Sequence, residues 1–315
     1  MLKFTVKRLV SAVALMVFVA TGTFFMAHKA IPDPVANLFG KVSFTAEQYE
    51  AKKAQLGLDQ PILTQFWNWF RHLLTGDFGT TWVGAPTPII KDLAVRLPVT
   101  LSIVILGLAV MAVLGAILGV LAGIRPGSWG DRMISASSVV FFAVPGFLVS
   151  IALLWVLAVK LGWFPVSGYI KPERDLLGWL RSITLPAVSL ALGGVVMIAV
   201  QLRNAIVTAN SSDYVRTLRA RGLPPRAVAL HLLRSAAPAA ITIIALMFVS
   251  LLSGAVILES MFNMPGIGSA TKDASQTGNI PMILALTVVS VLFVVIVNFL
   301  LDLVLGWINP KARIK

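Results

Sequence analysis

Cysteine is absent from this 315-residue chain. The chain therefore has no disulfide framework, no thiolate nucleophile and no cysteine-based metal site. Histidine is almost as scarce, and His28, His72 and His231 are scattered without forming an HExxH-like pair. The sequence consequently predicts neither a metal site nor a catalytic site.

Charged residues are also scarce. Only 12% of the residues are charged while 57% are hydrophobic, and the mean hydropathy is +0.88. A soluble domain of this length needs more polar surface than such a composition provides. The chain is therefore predicted to be a membrane protein.

Long runs without Asp, Glu, Lys or Arg predict the membrane spans. Each run below approaches or exceeds the roughly 20 residues that cross a hydrocarbon core. The runs are Leu9 to Ala27, Leu97 to Ile124, Met133 to Val159, Ser182 to Leu202, Ser235 to Leu258 and Ala274 to Leu301. We expect an all-α, polytopic fold with six transmembrane helices.

The first run has an alternative interpretation. It follows Lys3, Lys7 and Arg8, and "AHKA" at 27–30 loosely resembles a signal-peptide cleavage site. The length of the run and the lysine at that site favour a retained helix.

Basic residues indicate the orientation. With the N-terminus inside, the inner segments hold 14 of the 26 basic residues but three of the 13 acidic ones. This excess predicts cytoplasmic N- and C-termini. The net charge of +13 is then explained by topology and by contact with anionic membrane lipid, and nucleic acid is not required as a partner.

The predicted organisation follows from these spans. Residues 1–27 form the first transmembrane helix and residues 28–96 an extracytoplasmic segment. Residues 97–305 form a five-helix core, interrupted by a cytoplasmic stretch at 203–234 that we call the basic loop. Residues 306–315 form a cytoplasmic tail.

The extracytoplasmic segment contains two features. "SFTAEQYEAKKAQLG" predicts a short helix with Ser43 or Thr45 as N-cap and Gly57 at its end. A cluster of aromatic residues follows at 66–70 and is typical of an interfacial belt. Docking of an extracytoplasmic partner, or a gate, are the alternatives for this cluster.

From residue 213 to its end at 234, the basic loop reads "DYVRTLRARGLPPRAVALHLLR". Asp213 is predicted to cap one short helix, Gly222 to end it in a left-handed conformation, and Pro225 to lie in the first turn of a second helix. The positive-inside rule alone would explain the arginines. The interleaved apolar residues and the Gly-Leu-Pro-Pro turn favour a docked element, and a DNA-binding helix-turn-helix lacks room for its own core.

Two absences bear on the energy source. The interiors of the predicted spans contain no ionisable residue, which argues against a proton or sodium relay. The only Gly-Lys pair, Gly40-Lys41, lacks the GxxxxGK[ST] context that cradles ATP phosphates. Energy would have to come from another subunit.

Small and polar residues inside the spans suggest packing roles. Four glycines, at positions 107, 115, 119 and 123, predict close helix approach. Asn298 and Asp302 share a helix face and indicate interhelical hydrogen bonding, with gating as the alternative. Pro145-Gly146 and Gly193-Gly194 are candidate bends.

These residues carry a family resemblance. The basic loop resembles the cytoplasmic signature loop of ABC importer permeases, in the variant of the dipeptide and oligopeptide B-type permeases. Four further segments are similar to the family in the same order, and they are "LGLDQPILTQFWNWFRHLLTGDFG", "RLPVTLSIVI", "ESMFNMPGIG" and "NFLLDLVLGWINPKAR".

The resemblance implies a function. The chain would be the permease subunit of an ATP-driven importer that translocates di- or oligopeptides, or a related small solute, by alternating access. The implied coupling residues are Asp213, Tyr214, Val215, Arg216, Leu218, Arg219, Ala220, Gly222, Leu223 and Val228. The implied gate or path residues are Glu259, Pro265, Gly266 and Asn298. Glu259 is expected to pair within the gate or with the amino end of the substrate.

The resemblance also implies partners. ATP and magnesium would be bound by separate ATPase subunits, whose groove would receive the apolar side chains of the basic loop. A second, homologous permease chain and an extracytoplasmic solute-binding protein would complete the transporter in the bacterial cytoplasmic membrane. A channel or facilitator without ATP coupling is the alternative, and a membrane-embedded hydrolase lacks a convergent nucleophile and base.

Overall fold

The computed structural model describes residues 2–39, 44–144 and 146–308. Within these ranges the structure is helical, and its only β-type pairing is an isolated bridge between Thr80 and Pro88. The helices are α1 Leu2–Ala30, α2 Pro34–Phe39, α3 Ala46–Gln55, α4 Ile62–Leu74, α5 Ile89–Ile124, α6 Trp129–Ala143, α7 Gly146–Leu153, α8 Leu176–Asn210, α9 Asp213–Ala220, α10 Pro225–Met261, α11 Ile267–Thr277 and α12 Ile280–Ile308. A π-helical segment, Leu154–Lys160, continues α7.

Five helices are long and apolar enough to cross a membrane. They are α5, α8 and α10 over their whole lengths, α1 over Arg8–Ala30 and α12 over Ile280–Val304. These helices match five of the six predicted spans, although the predicted start of the last span at Ala274 is wrong: α11 runs to Thr277, Gly278 ends it with φ +69°, and α12 begins at Ile280. The all-α, polytopic prediction is therefore confirmed.

The third predicted span, Met133 to Val159, is wrong as a single helix. Helix α6 ends at Ala143, and a separate short apolar helix covers Gly146–Lys160. The break surrounds Pro145, which itself lies outside the described residues. A proline removes one helical hydrogen bond and disfavours helical geometry at the preceding residue, which explains a break at Val144.

The chain divides into two compact units. The first, which we call the core unit, comprises residues 100–264 and 296–308, and the second, the N-terminal unit, comprises residues 2–99 and 265–295. Helices α6 to α10 belong to the core unit, while α1 to α4 and α11 belong to the N-terminal unit.

Helix α8 is the centre of the core unit. It packs against α6, α7 and α10, and 61% of its most apolar window is buried, more than in any other candidate span. Its inward side carries small residues, among them Ala187, Ala191 and Ala199, which allow neighbouring backbones to approach.

The predicted glycine positions of α5 lie against α8. A Cβ atom added at Gly119 would lie 2.8 Å from the carbonyl oxygen of Ala199, and one at Gly115 would lie 2.8 Å from the side chain of Ile198. Gly107 and Gly123 face Ala187 and Ile206 in the same way. The prediction of close helix approach is confirmed. Gly194 of α8 packs equally closely on Met111, and α8 continues through Gly193-Gly194 without a break.

In the N-terminal unit, α3 begins and ends as predicted. The Thr45 hydroxyl accepts from the Gln48 amide while the Gln48 side chain accepts from the Thr45 amide, which forms a capping box. Gly57 follows the helix with φ +69°. The alternative N-cap, Ser43, lies outside the described residues.

The aromatic cluster of α4 is partly internal. Phe66 and Trp69 pack against Phe24 of α1, with ring centroids 5.2 and 5.4 Å away. Trp67 is exposed, and the Arg71 guanidinium lies over its ring. A purely interfacial belt is therefore the wrong description for Phe66 and Trp69, which belong to the core between α1, α4 and the start of α12.

We predict that Gly119→Ala destabilises the protein by about 1–3 kcal/mol, because the new methyl group meets backbone atoms that cannot move without separating α5 from α8. The matched control is Gly193→Ala, whose added Cβ would meet no atom within 4 Å. This control should be neutral or stabilising by up to about 1 kcal/mol. Thermal unfolding of the two purified variants in detergent tests the difference, and equal midpoints would contradict the close packing.

Candidate functional site

The basic loop folds into two helices joined at a glycine. Helix α9 ends where Gly222 adopts φ +73°, and its amide donates to the Arg219 carbonyl at 2.9 Å. The next amide, of Leu223, donates to the Leu218 carbonyl at 3.3 Å. Pro225 occupies the first turn of α10. The predicted left-handed turn and proline start are both confirmed.

The predicted cap at Asp213 is wrong by one residue. Ser212 holds the N-cap position, and Asp213 is the first helical residue. The Ser212 hydroxyl donates back to the Ala209 carbonyl, so neither side chain caps the α9 amides. In this position the Asp213 carboxylate still complements the positive end of the helix dipole.

The apolar residues of the basic loop form an internal core. Val215 is 0% exposed, and it packs with Val228 and Leu232 of α10. Leu218 and Leu223 are partly buried against the same cluster. The interpretation that these side chains fill a groove in a partner is therefore corrected for Val215, Val228 and Leu232, which this chain already buries, while Leu218 and Leu223 stay half-buried.

A different set of side chains is left at the surface. In α9 and the following turn the exposed residues are Asp213, Tyr214, Arg216, Thr217, Arg219, Ala220, Arg221 and Gly222. Tyr214 is the large apolar member, with 42% of its surface accessible. Any partner of this loop therefore contacts a small surface of polar and aromatic side chains. The buried cluster of Val215, Val228 and Leu232 lies directly beneath that surface.

Two of the arginines have partners inside the loop. Arg216 lies 3.5 Å from Asp213, and since both side chains are largely exposed this ion pair contributes little. Arg219 donates to the side-chain oxygen of Asn210 at the end of α8. Arg219 and Asn210 also line a cleft of about 330 Å³, whose other walls are mainly apolar residues of α5 and α10.

A partly buried ion pair fixes the beginning of the loop. The guanidinium of Arg203 donates to both carboxylate oxygens of Asp131 at 2.8 Å, and the Gly127 amide donates to the same carboxylate at 2.7 Å. The hydrogen bonds from Arg203 and Gly127 hold the pKa of Asp131 below its ordinary value. Because the ionised form is favoured, this pair stabilises the fold above the usual aspartate pKa and weakens only in acid.

This pair was not predicted from the sequence. Asp131 and Arg203 lie in separate predicted inner segments, and the 71 residues between them give no pairing signal. The available clue was that Asp131 is the lone acid in a short basic connection. The pair ties the start of α6 to the last turns of α8, directly before α9.

Among the predicted gate residues, Glu259 is the most enclosed. Its side chain is 0% exposed, and its Oε1 atom accepts a hydrogen bond of 2.5 Å from the Thr100 hydroxyl. Of the two predicted partners, a group of the protein and the amino end of a substrate, the structure contains the first. Thr100 was not among the predicted residues.

The other predicted gate residues lie on other elements than Glu259. Pro265 is exposed, and Gly266 is the buried N-cap of α11. Asn298 is half-buried near the end of α12. The turn after Glu259 also contains Asn263, which adopts φ +48°, a left-handed conformation that asparagine tolerates better than most residues.

These features define a class of protein. The described residues include five helices long and apolar enough to cross a membrane, and the short basic helix α9 connects two of them, α8 and α10. Among the described residues no group of three or more His, Asp or Glu side chains could hold a metal ion. The architecture is that of a multi-pass, all-α membrane protein with an exposed basic helix between two of its candidate spans.

Comparison with known proteins identifies the family. Residues 115–314 match the model of the binding-protein-dependent transport system inner membrane component, and residues 1–104 match the N-terminal model of the same type. The chain belongs to this family: it is the permease subunit of an ABC importer and a multi-pass protein of the bacterial inner membrane. The family makes it a transport subunit that works with ATPase and binding-protein partners.

Relatives cover nearly the whole chain. A probable peptide ABC transporter permease of Sinorhizobium fredii is 32% identical over 311 residues, with 98% of this chain and 99% of the relative covered. A glutathione transport system permease of Salmonella typhimurium is 32% identical over 316 residues, with 100% of both covered. Among solved structures, an inward-facing methionine ABC transporter gives a TM-score of 0.56 at 19% identity, covering 70% of this chain and 98% of that one.

We predict that Thr100→Val lowers the stability of the protein by about 1–3 kcal/mol, because it removes a donor to the buried Glu259 carboxyl while keeping the side-chain shape. Thr184→Val is the matched control, since the Thr184 hydroxyl bonds only the Leu180 carbonyl of its own helix. That control should change stability by a few tenths of a kcal/mol. Thermal unfolding in detergent measures both, and an equal loss in the two variants would show that the Thr100–Glu259 bond is not important.

Proposed function

We propose that this chain imports peptides or a related small solute by ATP-driven alternating access, with its basic loop as the coupling element. The observation that carries the coupling proposal is the buried core beneath α9. Because Val215 packs on Val228 and Leu232, a force applied to the exposed face of α9 is transmitted into α10.

The second path of transmission runs through α8. Helix α9 follows α8 after two residues, and Arg219 bonds Asn210 across this connection. The Asp131–Arg203 pair then links the end of α8 to α6. Motion of α9 is thereby coupled to the candidate spans α8 and α10 and, through α8, to α6, as alternating access requires of a coupling element.

The proposed partners follow from this arrangement. Separate ATPase subunits bind ATP and magnesium and contact Tyr214, Thr217, Ala220 and Arg221. A second, homologous permease chain pairs with this one, and an extracytoplasmic binding protein delivers the solute. The curated relatives named for peptides and for glutathione support a peptide-type solute.

Reconstitution tests the transport proposal. The chain is co-purified with the ATPases, second permease and binding protein encoded beside it, and placed in proteoliposomes. We expect ATP-dependent uptake of a pool of synthetic tripeptides without cysteine, or of glutathione. Uptake that is independent of ATP would instead support the facilitator alternative.

A topology prediction accompanies this function. The charge distribution places α3 outside and the basic loop inside. In intact cells, Gln55→Cys should react with an impermeant maleimide, whereas Ser211→Cys should react only after the membrane is opened. Both sites are exposed, and the native chain has no cysteine to interfere. Equal reaction at both sites in intact cells would contradict the orientation.

We predict that Ala220→Asp and Gly222→Val impair coupling without unfolding the chain. Ala220 is exposed, so a new carboxylate there disturbs a partner contact and leaves the chain's own core intact. Gly222→Val strains only the backbone, because no atom lies within 4 Å of its added Cβ. The cost of the left-handed conformation is on the order of 1–2 kcal/mol. Both variants should lose substrate-stimulated ATP hydrolysis and retain less ATPase on purification.

Matched controls separate coupling from folding. Gly84→Val imposes the same strain at φ +72°, also with open space around the Cβ, but far along the chain from α9, and it should leave coupling unchanged. Val215→Asp puts a charge into the internal core and should reduce the yield of folded protein. Full coupling by both Ala220→Asp and Gly222→Val would show that the loop serves only to orient the chain.

A further inference from the structure

A small cavity, open on one side where Phe147 and Ile257 are exposed, lies between α7, α8 and α10 of the core unit. Its volume is about 230 Å³. The walls are formed by Gly146, Phe147, Ser150, Ser189, Leu190, Gly254, Ile257 and Leu258. None of the described residues that form these walls is charged, so the cavity combines apolar walls with two serine hydroxyls.

Ser189 is the unusual member of this set. It is 5% exposed, and its hydroxyl is the one buried side-chain oxygen or nitrogen among the described residues that has no hydrogen-bond partner in the protein. Other helical hydroxyls nearby bond their own backbone, as Ser182 does with Trp179 and Thr184 with Leu180. An unsatisfied buried hydroxyl is unfavourable, particularly in a membrane helix.

Ser189 also lies at a depth and in a setting that suit a site inside the membrane. It lies near the middle of α8, the most buried of the candidate spans. The opposite wall is formed by Gly254 of α10, where an added Cβ would lie 2.8 Å from the side chain of Leu190. The glycine therefore allows α10 to approach α8 beside the hydroxyl without filling the cavity.

The chemistry of the cavity indicates what it accepts. The Ser150 hydroxyl donates to the Gly146 carbonyl and keeps its lone pairs available as acceptors. The Ser189 hydroxyl is available both as donor and as acceptor. This pair matches a neutral group that carries both functions, such as a backbone amide, while an unpaired ionic group would be strongly disfavoured among these apolar walls.

We propose that this cavity, with Ser189 as its hydrogen-bonding residue, is a binding point on the solute path that receives the backbone amides of a peptide-type solute. The proposal rests on the transport function given above. Its volume lies below the roughly 300–1,000 Å³ of pockets that enclose a whole drug-sized ligand. The cavity therefore holds one portion of the solute at a time, independent of the charge of its side chains.

The first test separates function from stability. Ser189→Ala removes a hydroxyl that the fold does not use, so thermal stability should stay equal or rise. If the hydroxyl binds solute, uptake of the tripeptide pool per reconstituted complex should fall about three- to tenfold. Ser189→Thr keeps the hydroxyl and should retain most of the uptake.

Ser182→Ala is the matched control on the same helix. The buried Ser182 hydroxyl donates to the Trp179 carbonyl and accepts from the Ile170 amide. Its loss should lower thermal stability while leaving uptake per folded complex unchanged. The opposite pattern in the two alanine variants is what a solute-binding hydroxyl predicts and a structural hydroxyl does not.

The second test asks what reaches the cavity. The Ser189→Cys variant contains a single cysteine, because the native chain has none. The reconstituted complex of this variant is treated with methyl methanethiosulfonate, and the increase in the mass of this chain measures the reaction. Because only the thiolate reacts, labelling requires contact with water. We expect labelling that the tripeptide pool slows at least severalfold.

Each outcome decides the proposal. An unreactive cysteine would place Ser189 against lipid or the second permease chain, and labelling without protection would mean a cavity that holds water only. Either result, or normal uptake by Ser189→Ala, overturns the binding point while the transport function stands. A wild-type complex that takes up neither tripeptides nor glutathione would remove the proposed function itself, and the binding point with it.

Discussion

The close approach of α5 to α8 is the contact on which the core unit depends. In a bilayer, helices gain little from burying apolar surface, because the lipid is equally apolar. They associate through fitted packing, and here glycines on α5 let its backbone meet that of α8 at Ala187 and Ala199. With α8 held in this way, its remaining sides are available to α6, α7 and α10.

Helix α8 also carries most of the features that bear on function. Ser189 lies near its middle, Arg203 pairs with Asp131 in its last turns, and Asn210 at its end bonds Arg219 of the basic loop. A single helix can therefore connect the proposed solute-binding point inside the membrane to the proposed docking face outside it. Such a connection needs no chain of separate contacts, since one helix transmits displacement along its length.

Buried carboxyl groups inside the core unit have hydrogen-bond or ionic partners, as burial away from water requires. Glu259 is buried with Thr100 as a hydrogen-bond partner, and Asp131 has both Arg203 and a backbone amide. Each of these carboxyl groups is paired by the protein, as the cost of burying them requires. Ser189 departs from this pattern, and its position beside a cavity gives that departure a functional interpretation.

The sequence by itself determined the membrane class, the all-α fold, five of the spans, the glycine contacts of α5 and the left-handed turn at Gly222. These properties depend on composition, on runs of apolar residues and on the backbone freedom of glycine, all of which are local. The break in the third span was signalled by Pro145, but its consequence for Val144 and the separate α6 and α7 was not foreseen.

Only the tertiary structure decided which side chains face a partner and which face the chain itself. Val215, Val228 and Tyr214 all belong to the hydrophobic residues interleaved in the basic loop, yet the two valines are buried inside the chain and Tyr214 is exposed. The pairs Asp131–Arg203 and Thr100–Glu259 join residues 72 and 159 positions apart. Pairing at such separations is set by how the helices pack, because one sequence pattern is compatible with many helix arrangements.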